Sequence, residues 1–150
     1  MMIQGKWFPQ GSDLSDALAV RRAVFSRGED GLDAGAQNVV VYQDGIPAGA
    51  GRIWWEDGSF WLGDVGVLES MRGRLLGDLV LRLLLFKARE HFAREVRLRT
   101  PEETAGFFAR LGLREVSREG SQVEMMIPGN QIDLDSCRSC KKADCPKRKE

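Results

Sequence analysis

The stretch "VGVLESMRGRLLGDLVLRLLLFKAREHF", Val65 to Phe92, changes character midway and decides the fold. Its first residues read as a strand, "RGRLLG" as a turn, and the rest as a long helix. A helix carrying leucine on most sides must lie buried against a sheet. Where a strand feeds straight into a helix, the opening amides have no internal partners and carry the positive end of the dipole, which makes an anion site. Arg72 and Arg74 add charge there, while Gly73 and Gly77 let the backbone curl tightly and approach a ligand. A pyrophosphate is the guest such a turn suits.

Working outward, "IQGKWF" reads as a first strand closed by Pro9 and Gly11. "SDLSDALAVRRAVFSRGEDG" spaces its apolar residues as a helix does, with Ser12 or Asp13 as N-cap and Gly28 near the stop. "GLDAGAQ" follows as a loop placed to line a site. Three β-branched and aromatic runs come next, divided by Asp44-Gly45 and Asp57-Gly58, pairs that tolerate the positive φ of hairpin turns. After the leucine helix, expected over Leu76 to Phe92, "EVRLRT" reads as a strand. "PEETAGFFARLG" reads as a helix begun by Pro101 and capped by Gly112, and "LREVSREGSQVEMMI" as a hairpin turning at Glu119-Gly120. The expected order is β-α-β-β-β-α-β-α-β-β.

The chain has 150 residues, 43% of them hydrophobic, enough for one domain with a real core. The 22 basic and 22 acidic side chains cancel, so overall charge draws it neither to nucleic acid nor to an anionic membrane. The apolar run Leu83–Phe86 is bounded by Arg82 and Lys87, far short of the roughly 20 apolar residues of a membrane span. The amino end lacks the pattern of a secretory signal, and a cytoplasmic location is expected. The boundaries expected are a folded domain over residues 1–130 and a basic tail over 131–150. All three cysteines, Cys137, Cys140 and Cys145, lie in that tail. Their odd number argues against a disulfide framework. A zinc knuckle completed elsewhere, an iron–sulfur or redox role, and a tail with free thiols remain open alternatives.

The turn resembles the central motif of the GNAT acetyltransferase superfamily, V-x-P-x-x-R-G-x-G-x-G, here Val67 to Gly77 with Glu69 in place of Pro and Leu75 in place of the middle Gly. "FFARLGL" is similar to the family's late F-Y-x-x-x-G-F signature, with Phe108 at the Tyr position. Arg21, Val24, Phe25, Asp44, Gly45, Pro47, Gly49 and Arg52 match a small bacterial subgroup with R-x-x-V-F and D-G-x-P-x-G-x-x-R. The resemblance covers about Ile3 to Ile127. It implies an α+β, three-layer GNAT-like acyl-CoA N-acyltransferase fold: a mixed, mostly antiparallel sheet with a splayed parallel pair and helices on both faces.

It also implies an acetyl-CoA-dependent N-acetyltransferase that moves an acetyl group directly to a primary amine of a small molecule or peptide in a ternary complex. Acetyl-CoA would be held by Arg72, Gly73, Arg74, Leu75, Leu76, Gly77 and Asp78, with pantetheine beside Val65 and Val67. The family's Tyr protonates the leaving thiolate, a role that Phe108 has no proton to fill. Asp64 is the candidate base, with Glu29 and Asp33 behind it. A homodimer is one assembly open to such a chain. The rival expectation is an acyl-CoA-binding sensor or interaction module on the same fold, motivated by Phe108 and Leu75. A nucleic-acid contact by the tail ranks last.

Two side issues follow from composition. Trp54, Trp55, Phe60 and Trp61 either wall an acceptor site, stacking on a cationic amine, or simply cover the sheet. His91 is expected at a solvated helix end rather than in catalysis.

Overall fold

The computed structural model describes residues 2–134. The cysteines Cys137, Cys140 and Cys145, and with them the metal and redox expectations, lie outside the described residues.

The elements follow the expected order: β1 (Ile3–Phe8), α1 (Ser15–Phe25), β2 (Gln37–Gln43), β3 (Ile46–Glu56), β4 (Ser59–Val67), α2 (Leu76–Glu90), β5 (Glu95–Pro101), α3 (Ala105–Ala109), β6 (Arg114–Glu119) and β7 (Gln122–Pro128). Among the described residues they build a seven-stranded mixed sheet in the order β1-β2-β3-β4-β5-β7-β6. Every neighbouring pair is antiparallel except β4 and β5. Both Asp-Gly pairs turn with positive φ at each residue, 51° and 82° at Asp44-Gly45 and 52° and 78° at Asp57-Gly58, as two-residue hairpins of matching twist require.

The run Val39–Tyr42 shows why helices lie on both faces. Strand side chains alternate, so Val39 and Val41 join the core beneath α2 while Val40 and Tyr42 pack with Ala17 and Val20 of α1. A strand covered on both faces has no polar side to show. Helix α2 buries Leu76, Val80, Leu81, Leu84, Leu85 and Ala88, an i, i+4 and i+3 stripe, and each buried Leu contributes about 1.5–3 kcal/mol. No helix among the described residues is long and apolar enough to cross a membrane.

Four segments differ from the expectation. Helix α1 starts at Ser15, whose N–H is capped from outside by Asp13 Oδ1 at 2.9 Å, and it stops at Ser26 in the left-handed region (φ 56°) instead of at Gly28. The "GLDAGAQ" loop contains a 3-10 turn, Gly31–Gly35, locked by reciprocal capping between Asp30 and Asp33. Pro101 does not begin a helix: it is the last residue of β5, paired with Gln122, and only Glu102–Thr104 and α3 follow as helical turns. Its fixed φ suits an extended strand end as well as a helix start. Helix α2 ends at Glu90, leaving His91 exposed at its C-terminus.

Candidate active site

The parallel pair is bonded only where Phe60, Trp61 and Leu62 meet Val96, Arg97 and Leu98. Beyond Leu62 the two strands part, so Gly63–Val67 has a partner in β3 and none in β5. The freed half of β4 leads through the turn into α2. A cavity of about 630 Å³ opens there, lined by Val65, Gly66 and Val67 of the strand and by most of the turn.

Of the residues singled out for the cosubstrate, Val65, Val67, Arg72, Gly73, Leu75, Leu76, Gly77 and Asp78 all line this cavity. Arg74 does not; its Nη1 lies 3.7 Å from Met71 Sδ. No side chain caps α2, and its first internal bond runs from Leu79 N–H to Leu75 C=O at 3.1 Å. The amides of Leu76, Gly77 and Asp78 precede that bond and are the helix's free donors. Arg72 Nε donates to Val67 C=O at 3.2 Å and so ties the turn to the strand end. The Asp78 carboxylate, unfavourable beside an anion, is neutralised by Arg82 Nε at 2.7 Å.

Leu75 adopts a left-handed backbone that favours glycine. It sits at φ 61°, ψ 18°, with its side chain 72% exposed. The turn therefore survives the substitution, at a conformational cost of about 1–2 kcal/mol.

A neighbouring cavity of about 490 Å³ lies between the diverging strands, and Phe25 and Val65 border both. Asp64 lines this second cavity, as does Phe108. Strict alternation would turn Gly63 and Asp64 to opposite faces. A β-bulge intervenes: Arg52 pairs with Gly63 and Ala50 with Gly66, so Asp64 and Val65 oppose the single residue Gly51, and Asp64 takes φ 50°. Bulges re-aim side chains in this way, and here the bulge brings Asp64 to the α1 side. There its Oδ2 meets Arg52 Nη2 at 3.0 Å and Arg21 Nε at 3.5 Å, contacts of charge rather than aligned hydrogen bonds, and Oδ1 accepts from Arg27.

The same arginines hold the loop. Arg21 forms a bidentate pair with Asp33 at 2.8 and 3.1 Å and donates to Asn38 Oδ1 at 2.9 Å. Arg52 reaches Asp33 at 3.2 Å and Asp30 at 2.6 and 2.8 Å. Burial would raise the Asp33 carboxyl. Hydrogen bonds from Arg21 and the Asp30 N–H, with the charges of Arg21 and Arg52, outweigh it and hold the group down at about 2. Asp33 is an ionised partner of two buried arginines, and it lines neither cavity. Glu29 is exposed and lines neither cavity.

The aromatic cluster splits as adjacent strand positions must. Trp55 and Phe60 stack edge to face at 5.0 Å, with His91 6.2 Å from Phe60. Trp54 and Trp61 line the second cavity; the Arg52 guanidinium lies 5.4 Å from the Trp54 ring and that of Arg99 4.6 Å from Trp61. One of the protein's own arginines thus lies over each of these two rings. Val24, Phe25, Thr104, Phe107 and Arg110 also line the first cavity and were not foreseen there. The i, i+3 spacing of Phe107 and Arg110 is the signal that could have placed them on one face.

Comparisons with known proteins agree with this geometry. The family model described as Acetyltransferase (GNAT) family matches residues 7–113. An uncharacterized N-acetyltransferase of Bacillus subtilis (strain 168), YjcF, is 29% identical over 130 residues, covering 81% of this chain and 92% of its own. Among solved structures, an acyl-CoA N-acyltransferase from Pseudomonas aeruginosa superposes with a TM-score of 0.74 at 19% identity, covering 83% of this chain and 99% of its own. A GNAT family acetyltransferase from Elizabethkingia anophelis with acetyl-CoA bound gives 0.70 at 12%, covering 84% and 97%. The splayed sheet is the common fold of these structures, and with more than half its length matched the chain belongs to the GNAT acetyltransferase family.

Proposed function

We propose that the protein transfers an acetyl group from acetyl-CoA directly to a primary amine within a ternary complex. The observation that carries this reading is the opening between β4 and β5, where a cavity bounded by unpaired strand and uncapped helix amides abuts a second cavity of substrate size. The residues present suit the cosubstrate. Free amides at the α2 N-terminus and the Arg72–Asp78 backbone offer a cradle for pyrophosphate, and the unpaired edge at Val65 and Val67 offers hydrogen bonds to pantetheine. The acceptor amine enters from the second cavity. Its nitrogen attacks the thioester carbon, a C–N bond forms, the C–S bond breaks, the nitrogen gives up a proton to Asp64 or to solvent, and the departing thiolate takes a proton from water, since Phe108 has none to give.

Asp64 is the acidic side chain on the second cavity's wall and the proposed base, yet three guanidinium groups already engage its oxygens. Asp64→Asn separates two routes. Loss of about 100-fold or more in kcat/KM makes Asp64 the base. An unchanged pH profile, rising as free amine accumulates, assigns deprotonation to solvent.

The reading is tested by CoA-dependent thermal stabilisation of the full chain. Wild type is expected to shift and Gly73→Glu to fail, because Gly73 sits at φ 83° on the cavity wall and a carboxylate there opposes phosphate. No shift with wild type sinks it. A second reading, a CoA-binding module without turnover, is favoured by Phe108, which is buried at the cavity wall without an ionisable group. Tight CoA binding with no free CoA released across a broad amine screen would select it.

A further inference from the structure

The second cavity presents more positive than negative charge. Arg27, Arg52 and Arg99 line it against Asp64. The other carboxylates that balance these arginines, Asp30 and Asp33 on Arg52 and Glu124 on Arg99, are not part of the lining. Two of the three guanidiniums have capacity to spare at the mouth: the Arg27 side chain is 56% exposed and that of Arg99 64%. Arg52 is buried, and its Nε–H has no partner although the group cannot shed its charge. An ammonium alone would enter this cavity against like charge and compete with a guanidinium that already lies over each tryptophan ring.

We propose, on the basis of the acetyltransferase reading above, that the acceptor is an amine that also carries a carboxylate, of the amino-acid class. The anionic group docks on the guanidiniums of Arg99 and Arg27, whose planar forks match a carboxylate, and the amine points inward to the border at Phe25 and Val65 where the two cavities meet. The cavity of about 490 Å³ accommodates a ligand of that size. Arg99 is a specificity determinant and takes no part in bond making.

The test titrates the full chain, with and without CoA, with matched triplets: an amino acid, its amide and its decarboxylated amine, for example phenylalanine, phenylalaninamide and phenethylamine. O-phosphoethanolamine is run beside ethanolamine and β-alanine. The amino acids are expected to bind at least about tenfold tighter than their counterparts without the carboxylate. Where turnover is seen, Arg99→Ala is expected to raise their KM by a similar factor while leaving the KM for CoA unchanged and that for phenethylamine no higher than before. Arg99→Lys restores the charge without the fork and recovers only part of the loss. Equal or tighter binding of the decarboxylated amines overturns the proposal, as does binding by no member of the panel. A preference for O-phosphoethanolamine over β-alanine overturns the carboxylate assignment in favour of phosphate. Failure of CoA to bind sinks the acetyltransferase reading, whereas CoA binding with a preference for amines without a carboxylate sinks only this one.

Discussion

Phe107 and Phe108, adjacent in the chain with ring centroids 5.0 Å apart at 77°, line different cavities: Phe107 the one beneath the α2 N-terminus, Phe108 the one between the parted strands. The short helix α3 thus divides the two chambers with consecutive side chains. Phe108→Tyr would add a hydroxyl at the wall of the second chamber, on the acceptor's side of the border at which the thiolate leaves in the proposed transfer. The expected result is faster release of free CoA with an amine acceptor, by about tenfold or more, and an unchanged thermal shift with CoA alone. An unchanged rate removes thiolate protonation from the steps that limit turnover.

The arginine cluster predicts a specific acid sensitivity. Asp33 has a side chain 1% exposed and a carboxyl held at about 2 against an ordinary value of 3.8. A depressed folded-state value stabilises the fold above the unfolded value and loses that contribution as pH falls. On the order of 2 kcal/mol is therefore present above pH 4 and fades toward pH 2. Asp33→Asn leaves Arg21 and Arg52 short of a buried partner and is expected to cost about 3 kcal/mol or more at neutral pH. Urea melts of both proteins from pH 7 to pH 3 check this: the wild-type midpoint falls toward the variant's as the solution acidifies. Parallel curves would contradict it.

The arginine cluster marks the boundary of what the sequence discloses. The order of elements is legible because its signals are local: the Asp44-Gly45 and Asp57-Gly58 turns, the doubly buried run Val39–Tyr42, and the period of Leu76 to Ala88. Much of the first cavity's lining is legible for the same reason, since Val67 to Asp78 is one continuous stretch. Arg21, Asp33, Arg52 and Asp64 come from α1, a loop, β3 and β4, and nothing short of the folded sheet brings them together. The matches at Arg21 and Arg52 marked the positions without telling what they do. The bulge at Asp64 was likewise hidden, because a register shift leaves no mark in strand alternation.

Gly66 is expected to tolerate no side chain. A Cβ built there would stand 2.9 Å from both Phe25 Cε2 and Val24 Cγ1, on the unpaired half of β4. Gly66→Ala must displace the Phe25 ring and the Val24 side chain at the end of α1, an overpacking cost of about 1–3 kcal/mol. Because Phe25 borders both cavities, the same displacement is expected to weaken CoA binding. A melting temperature equal to wild type with unaltered CoA affinity would show that α1 yields without cost.

Leu75 separates strain from bulk. Its left-handed backbone costs about 1–2 kcal/mol relative to an ordinary conformation, while its 72% exposed side chain returns little through burial. Leu75→Gly removes the strain but gives the unfolded chain more freedom, which offsets about 0.4–1 kcal/mol. The net expectation is a gain of up to about 1 kcal/mol in urea melts. Leu75→Ala keeps the left-handed backbone and shortens only the side chain, so its stability should stay near wild type. If the leucine obstructs the first cavity, which it lines, both variants bind CoA more tightly; if strain in the turn limits affinity, only Leu75→Gly does. Leu75→Pro is the negative control: a φ near −65° cannot supply the observed 61°, and both the helix start and CoA binding are expected to be lost. Isothermal titration with CoA on the three variants decides whether the turn works through its backbone alone, and equal affinity in all of them would remove Leu75 from the site.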